Sequence, residues 1–185
     1  MLTGERRHLK TLVTVVIYSG PRRGELLKLR WSNVDFDLNA TNFTEIKTNR
    51  DRSVPMEPIV QEALLELHDQ ADDTEYVFTN PDTCTRYVDI KKSFSAACRE
   101  AGVTNFTFHD LRHTFGTRLA DAGVDVVKIK ELMGQASIVT TMRYIHATDQ
   151  GKRGAITVLA EYRKQRHHKF VTKEKRQAVQ PAVSH

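Results

Sequence analysis

The stretch Thr107-Phe-His-Asp-Leu-Arg-His-Thr-Phe-Gly-Thr-Arg-Leu119 decides how the middle of this 185-residue chain folds. Thr107, followed three residues later by Asp110, resembles a capping box and predicts that a helix begins there. The apolar residues of the stretch recur at helical spacing and are predicted to be buried: Phe108, Leu111, Phe115 and Leu119. His109 and Arg112 are three residues apart on a different face, so both side chains reach one spot. This pair suits gripping a phosphate and moving a proton, although a surface His and Arg pair is the commoner explanation when it stands alone.

Apolar residues at helical spacing predict further helices on both sides of this stretch. They run from Leu9 to Ile17, from Pro21 to Leu29, from Pro58 to Leu67, from Ile90 to Ala101 and from Val124 to Met133. Gly20, Gly102 and Gly134 follow three of them, as glycines that end helices do. Ser137 is predicted to cap a short last helix that carries Tyr144.

Between residues 33 and 56 the pattern changes to that of strands. Apolar and acidic residues alternate from Val34 to Leu38, a second run ends at Ile46 and a third lies around Val54, which predicts a small antiparallel sheet. A short strand is also predicted from Tyr76 to Phe78. The fold class expected from these patterns is mainly α with a small antiparallel β-sheet, an α+β domain.

Charge is distributed unevenly along the chain, which has a formal net charge of +5. Residues 163–185 contain seven basic residues and one acidic residue, a net charge of +6. Residues 1–162 contain the remaining 21 basic and 22 acidic residues and are therefore nearly neutral. We expect 163–185 to be a basic, disordered tail. A basic tail is compatible with phosphate contacts, but solvated charged termini are common, so charge alone does not indicate a DNA-binding fold.

Cysteine content and hydropathy exclude several classes of protein. Cys84 and Cys98 are too few for a disulfide framework, and no secretory leader opens the sequence. The longest apolar stretch, from Leu12 to Tyr18, is far shorter than the roughly 20 residues needed to cross a bilayer. A cytoplasmic location and no membrane partner are therefore expected.

Five residues spread along the chain have the chemistry needed to break a phosphodiester without a metal ion. Arg22 and Arg112 can bind non-bridging phosphate oxygens, and Lys47, beside a polar turn, can protonate a leaving oxygen. His109 can transfer a proton, and Tyr144 can attack phosphorus. Each has an ordinary explanation on its own: Lys47 is a turn lysine, and Tyr144 is a packing aromatic with a wetted hydroxyl. Together they indicate a candidate DNA strand transferase.

The residues from about Leu9 to Ala160 resemble the catalytic domain of the tyrosine recombinases, also called phage integrases. Four motifs in order carry the resemblance: Gly20-Pro-Arg22-Arg-Gly-Glu25-Leu26, Lys47-Thr with the later Arg52-Ser-Val-Pro, His109-Asp-Leu-Arg112-His113-Thr114, and Leu132-Met-Gly-Gln135-Ala-Ser-Ile-Val-Thr-Thr-Met-Arg-Tyr144-Ile-His146. The resemblance implies a catalytic domain over residues 1–162 with the tail at 163–185. It also implies double-stranded DNA as partner, a tetramer of subunits on DNA, a monomer without it, and no cofactor.

The same resemblance assigns roles to individual residues. Tyr144 would attack the scissile phosphate and form a 3'-phosphotyrosyl link. Arg22 and Arg112 would stabilise the phosphoryl oxygens, Lys47 would be the general acid, and His109 would be the acid or base beside the phosphate. Glu25 and His113 would support them, and Gln135 would contact the phosphate.

The chain departs from the family pattern in three places. Gln135 stands where histidine or tryptophan is usual, and glutamine cannot shuttle a proton, so a slower active site is expected. Pro21 replaces a larger apolar residue at a helix start. The usual amino-terminal DNA-clamping domain is absent from the sequence, so we expect a fragment or a truncated gene product.

Other interpretations remain open at this point. Asp35 and Asp37 alternate onto one strand face and would suit a metal-dependent nuclease, although the solvent face of a hairpin is the plainer reading. Gln135 and the missing domain would also suit a DNA-binding fragment with impaired or lost chemistry. Residues 151–163 are predicted to form a helix that packs either on a neighbouring subunit or on its own domain.

Overall fold

The computed structural model describes residues 7–45, 50–71, 74–80, 83–145 and 156–164. Helices dominate the part up to residue 145, and the prediction of a mainly α domain with a small antiparallel sheet is confirmed. The helices are α1 (Arg7–Ser19), α2 (Arg23–Leu26), α3 (Pro58–His68), α4 (Lys91–Glu100), α5 (Phe108–Asp121), α6 (Val126–Met133) and α7 (Ile138–Thr141). A 3-10 turn at Trp31–Asn33 precedes the sheet, and another at Met142–Tyr144 follows α7.

The sheet contains three antiparallel strands in chain order: β1 (Val34–Asp35), β2 (Ala40–Glu45) and β3 (Arg50–Pro55). Phe43 is paired with Arg52 across β2 and β3. A separate two-stranded ribbon joins β4 (Thr79–Asn80) to β5 (Thr85–Arg86). The predicted strand at Tyr76–Phe78 is therefore misplaced, because within it Tyr76 forms only an isolated bridge, to Arg30.

The first predicted strand is shorter than its alternating pattern suggested. β1 ends at Asp35, whose carboxylate accepts a hydrogen bond of 2.8 Å from the Leu38 main-chain N–H and so stabilises a turn. Leu38 is 78% exposed. The prediction that Asp35 and Asp37 share one strand face is wrong, because Asp37 belongs to the turn.

The glycines predicted to end helices, Gly20, Gly102 and Gly134, are confirmed by their left-handed φ, whereas the helix predicted from Pro21 to Leu29 is only the four-residue α2. One of these helix ends brings α1 close to α5. Gly20 ends α1 with a left-handed φ of +64°, and a Cβ there would lie 2.2 Å from the Phe115 ring of α5. Only glycine allows this approach without strain. The chain therefore enters α2, with Arg22 at its start, directly beside α5.

Two groups of buried side chains form the core. The larger one joins α1, the sheet, α3 and α4, and includes Leu12, Val16, Phe43 and Leu64. Burial of each such side chain stabilises the fold by about 1.5 to 3 kcal/mol. The smaller group contains Phe115, Ile129, Met133 and Tyr144, so the candidate nucleophile belongs to a packed core.

Residues 146–185 form a second unit. Within it the structure describes one helix, over residues 156–164. This helix agrees with the helix predicted around 151–163, and it includes the first two residues of the predicted tail. Residues 165–185 lie outside the described residues, so the tail and the domain boundary at 162 stay predictions. In the described ranges no helix has the length and apolar character that crossing a membrane requires.

Candidate active site

Three arginines from three different elements donate hydrogen bonds to carbonyl groups of three consecutive residues. The pairs are Arg52 Nε to Leu132 O at 3.0 Å, Arg112 Nη2 to Met133 O, and Arg22 Nη2 to Gly134 O at 2.9 Å. These carbonyls lie at the carboxyl end of α6, where the last turn has no helical N–H partners. This end of a helix also carries partial negative charge, which favours cations. The end of α6 is thus the point on which the three arginines converge.

Gly134 gives the end of α6 its shape. It adopts a left-handed conformation with φ +59° and ψ +45°, as predicted for a glycine that ends a helix. A Cβ at this position would lie 2.7 Å from Arg52 Nη1. Glycine at position 134 therefore allows both the left-handed turn and the close approach of Arg52.

Arg22 precedes α2 and makes two hydrogen bonds to the carboxylate of Glu25. Its main-chain N–H and its Nη1 each donate a hydrogen bond of 2.8 Å to the Glu25 carboxylate. The sequence indicated an anion near Arg22, and Glu25 supplies one from within the chain. Burial tends to raise the pKa of Glu25, but hydrogen bonds and charge from Arg52 and Arg22 outweigh burial, so its pKa lies below the usual range.

Arg52 contacts the same carboxylate and was given no role by the sequence. Its Nη2 donates to Glu25 at 2.7 Å, and its guanidinium lies 5.1 Å from the centre of the Phe43 ring. The signal was present in β3, because side chains two apart on a strand share a face and Val54 is buried. An arginine on the inward face of a strand needs a buried acid partner.

Arg112 is the most deeply buried of the three arginines, at 4% exposure. Its Nη1 also donates to Gly20 O at 2.5 Å, so both ends of the fork bind main-chain carbonyls. Burial and the positive charges of Arg22 and Arg52 lower its pKa to about 10, so it remains charged at neutral pH.

His109 lies with Arg112 on the wall of one cavity, as their spacing predicted. The cavity has a volume of about 360 Å³, and Arg23 and Lys91 add cationic groups to its lining. Partial burial and the charges of His113 and Arg112 lower the pKa of His109, although Asp110 opposes them. The neutral ring is therefore favoured, which suits proton transfer.

Tyr144 lies in the turn after α7, where the sequence placed it. Its hydroxyl is 3.0 Å from Nδ1 of His113, and the residue is 5% exposed. Burial raises the pKa of the phenol, against the opposing charges of Arg112 and Arg143 and a hydrogen bond from Gln135. Gly116 makes room for the ring, since a Cβ there would lie 2.9 Å from Tyr144 Cζ. The ordinary alternative for Tyr144, a packing aromatic with a wetted hydroxyl, does not fit a residue that is buried with its hydroxyl beside His113.

Gln135 is buried beside Tyr144, the candidate nucleophile. Its amide oxygen accepts a hydrogen bond of 2.6 Å from the Thr141 hydroxyl, and its amide nitrogen lies 3.6 Å from Met133 Sδ. Thr141 is fully buried, and the sequence gave no sign of its role. The amide thus joins the end of α6 to the turn that carries Tyr144.

The structure brings together seven of the eight predicted site residues; Lys47 lies outside the described residues and stays a prediction. Within this cluster one negative charge, that of Glu25, faces the three positive charges of Arg22, Arg52 and Arg112. An excess of two positive charges therefore remains. This excess beside a tyrosine and two histidines suits a phosphate whose charge increases during a reaction. In the described part of the chain, no group of three or more His, Cys, Asp or Glu side chains is arranged to bind a metal ion.

Comparison with known proteins agrees with this geometry. The family model described as "Phage integrase family" matches residues 4–151. Tyrosine recombinase XerA of Pyrococcus furiosus is 30% identical over 157 residues, which cover 78% of this chain and 52% of the relative. The integrase of Salmonella phage P22 is 28% identical over 75% of this chain and 39% of its own length. The chain thus spans about half the length, or less, of these curated relatives.

Solved structures share the fold. A crystal structure of XerA recombinase superposes with a TM-score of 0.69 and 32% identity, covering 82% of this chain and 56% of that one. The catalytic domain of bacteriophage HP1 integrase superposes with a TM-score of 0.60 and 25% identity, covering 80% of each chain. The family match over most of the chain, joined to the arginine, histidine and tyrosine geometry, establishes that the chain belongs to the phage integrase, or tyrosine recombinase, family.

Proposed function

We propose that this chain is the catalytic part of a site-specific DNA recombinase or integrase, which cuts and rejoins DNA strands through a 3'-phosphotyrosyl intermediate. One observation carries the proposal: the buried Tyr144 lies in the same cluster as Arg22 and Arg112, whose side chains are anchored on adjacent carbonyls. A nucleophile beside two preorganised guanidinium groups is the arrangement that transfer of a phosphodiester requires.

In the proposed reaction the Tyr144 oxygen attacks the scissile phosphorus and the bond to the 5' oxygen breaks. Arg22 and Arg112 donate to the non-bridging oxygens, and loss of one such preorganised donor costs about 3 to 4 kcal/mol. Lys47 protonates the 5' oxygen, and His109 transfers a proton beside the phosphate. Attack of another 5'-hydroxyl on the phosphotyrosine then rejoins the strands.

We propose that this reaction needs neither a metal ion nor ATP. The cluster's own cations supply the positive charge that a metal would bring, and the covalent link keeps the energy of the broken bond. We propose that the partner is double-stranded DNA and that the chain acts at the nucleoid in the cytoplasm. Recombination between two sites would require four subunits on the DNA, and without DNA the chain would be a monomer.

Structures with the same fold support a DNA partner. The Tn1549 transposon integrase, 22% identical with a TM-score of 0.73, was solved in complex with a circular intermediate DNA. The XerH site-specific recombinase, 19% identical with a TM-score of 0.70, was solved bound to its difH substrate. At these identities the likeness to this chain is one of fold, and the DNA partner rests on the site itself.

The proposal is tested by incubating the purified chain with supercoiled plasmid in EDTA and quenching with SDS. We expect protein covalently attached to DNA for the wild type and for Tyr162→Phe, which changes an exposed tyrosine of the helix over residues 156–164. Tyr144→Phe should give none. DNA binding without any adduct would instead support the second candidate, a DNA-binding fragment with impaired chemistry, which the uncharged Gln135 favours.

A further inference from the structure

The hydroxyl of Tyr144 contacts a histidine, His113, that lies far from it in the sequence. His113 lies on α5, 31 residues before Tyr144, and its Nδ1 is 3.0 Å from the phenol oxygen. The two rings have centres 5.7 Å apart and are tilted by 51°. This distance is that of a hydrogen bond, so a proton can pass directly between the two groups.

The direction of this hydrogen bond follows from ordinary chemistry. A phenol is protonated at neutral pH and therefore donates, and burial of Tyr144 keeps it protonated. With the phenol as donor, Nδ1 of His113 is the acceptor, which is its role in the tautomer whose hydrogen is on Nε2. The ring is thus in the form that can take up a further proton.

Charged groups from two elements surround the pair. Arg112 of α5 and Arg143 of the final turn both favour the phenolate of Tyr144. On α5, the His109 ring is 4.6 Å from His113 at 88°, and the Asp110 carboxylate interacts electrostatically with His113. The two arginines therefore stabilise the deprotonated tyrosine that forms when its proton moves to His113.

We propose that His113 is the proton acceptor for Tyr144 during strand cleavage. This inference rests on the proposed function and adds a role beyond the supporting one that the sequence suggested. The bond between the Tyr144 oxygen and its hydrogen breaks as the oxygen–phosphorus bond forms, and Nδ1 receives the proton. The phosphorus bond to the 5' oxygen breaks, and that oxygen takes its proton from the general acid, proposed to be Lys47. On rejoining, the attacking 5'-hydroxyl gives its proton to Lys47, the bond between phosphorus and the tyrosine oxygen breaks, and His113 returns its proton to the departing tyrosine.

His109 keeps a separate role in this scheme. His109 lines the cavity together with Arg112, whereas the tyrosine hydroxyl contacts His113. The two histidines therefore serve different atoms of the reaction, and their variants should differ in pH dependence.

His113→Asn separates proton acceptance from positioning. An asparagine amide oxygen can lie near the place of Nδ1 and accept the hydrogen bond, but it cannot take up a proton at neutral pH. His68→Asn is the matched control, because His68 is an exposed histidine on α3 that packs beside Trp31 and lies outside the cluster.

The experiment measures the rate of covalent adduct formation on a DNA oligonucleotide that contains a site cleaved by the wild type. We expect His113→Asn to be slower by about 10²- to 10⁴-fold at neutral pH, the usual contribution of a general base. The defect should shrink as pH rises, because phenolate then forms without His113. His68→Asn should match the wild type throughout.

A second substrate, with sulfur in place of the 5' bridging oxygen, separates the base from the acid. A thiolate leaves without a proton, so this substrate should restore Lys47→Ala but leave His113→Asn slow. Wild-type rates for His113→Asn on the natural substrate, or their recovery on the sulfur substrate, would overturn the inference alone. If the wild type forms no adduct on any DNA, the proposed function itself fails and the inference falls with it.

Discussion

Arg22 and Arg112 are bound to adjacent main-chain carbonyls, Gly134 and Met133, although 90 residues separate the two arginines in sequence. The two carbonyls belong to consecutive peptide units that meet at the Gly134 Cα, so the left-handed backbone of Gly134 sets the spacing of the two guanidinium groups. Because each peptide unit is rigid and planar, this spacing depends on the φ and ψ of Gly134 and not on the rotamers of other side chains. The end of α6 is therefore a template for the proposed phosphate site.

Gly134→Ala tests this template. The alanine would adopt a left-handed conformation and its Cβ would lie 2.7 Å from Arg52 Nη1. We expect the free energy of unfolding to fall by about 1 to 2 kcal/mol because alanine is strained in this conformation, and by a further 1 to 3 kcal/mol because the arginine is displaced. Urea unfolding measures the loss.

Gly123→Ala is the control for this prediction, because Gly123 has φ +76° with no atom within 4 Å of its Cβ position. Gly123→Ala should lower the free energy of unfolding only by the cost of the left-handed conformation, and it should leave adduct formation unchanged. Equal losses for the two variants would contradict the template.

Arg52→Lys tests the arginine to which the sequence gave no role. Lysine keeps the charge, but it lacks the planar fork that reaches Glu25 and Leu132 together. We expect a loss of about 1.5 to 3 kcal/mol in the free energy of unfolding, as for a hydrogen bond to a charged group. Adduct formation should also slow, because Glu25 then orients Arg22 less firmly.

Arg99→Lys, on the exposed end of α4, is the corresponding control and should stay within about 0.5 kcal/mol of the wild type. An Arg52→Lys protein as stable and as active as this control would show that the buried contacts of Arg52 are dispensable.

Stability should depend on pH through Glu25. Its pKa is lower in the folded chain than the ordinary value of 4.5, so the folded state binds its proton less readily than the unfolded state. The stabilisation is therefore fully present above pH 4.5 and is lost as pH falls through the lowered folded value. The difference in unfolding free energy between wild type and Glu25→Gln should shrink as pH is lowered from about 7 to about 3.

Glu62→Gln, an exposed carboxylate on α3, is the control and should differ little from the wild type across this range. A wild-type advantage over Glu25→Gln that stays constant, or that grows in acid, is incompatible with a carboxylate stabilised by Arg22 and Arg52.

Gln135→His tests the main departure from the family pattern. The Gln135 amide receives a hydrogen bond from Thr141 and donates one to Tyr144, but it cannot transfer a proton. We expect histidine at this position to raise the rate of adduct formation, since general acid and base groups typically contribute at least about 10²-fold. An unchanged rate would mean that position 135 does not limit the reaction.

Local patterns predicted the helices and their ends well. The Thr107 and Asp110 capping pair begins α5, with a hydrogen bond of 2.7 Å from the Thr107 N–H, and Gly134 ends α6. These signals depend on residues within one turn, so the sequence contains them. The motif order also predicted that Arg22, Arg112 and Tyr144 share a site.

The turn at Asp37 was missed although its cause is local, because the hydrogen bond from the Leu38 N–H to Asp35 ends the strand first. Features that depend on distant partners were missed as well. Arg52 acquires its role only because β3 is placed beside α2 and α6, and Tyr144 meets His113 only through the packing of the last turn against α5. Spacing along the chain cannot specify such contacts, since they arise from the tertiary fold.

The proposed function requires Tyr144 to become covalently joined to DNA, and mass spectrometry of the trapped adduct detects that bond. After nuclease and protease digestion, we expect a nucleotide linked through its 3' phosphate to the peptide that contains Tyr144. A nucleotide on Tyr162 or any other residue, or a 5' linkage, would contradict it.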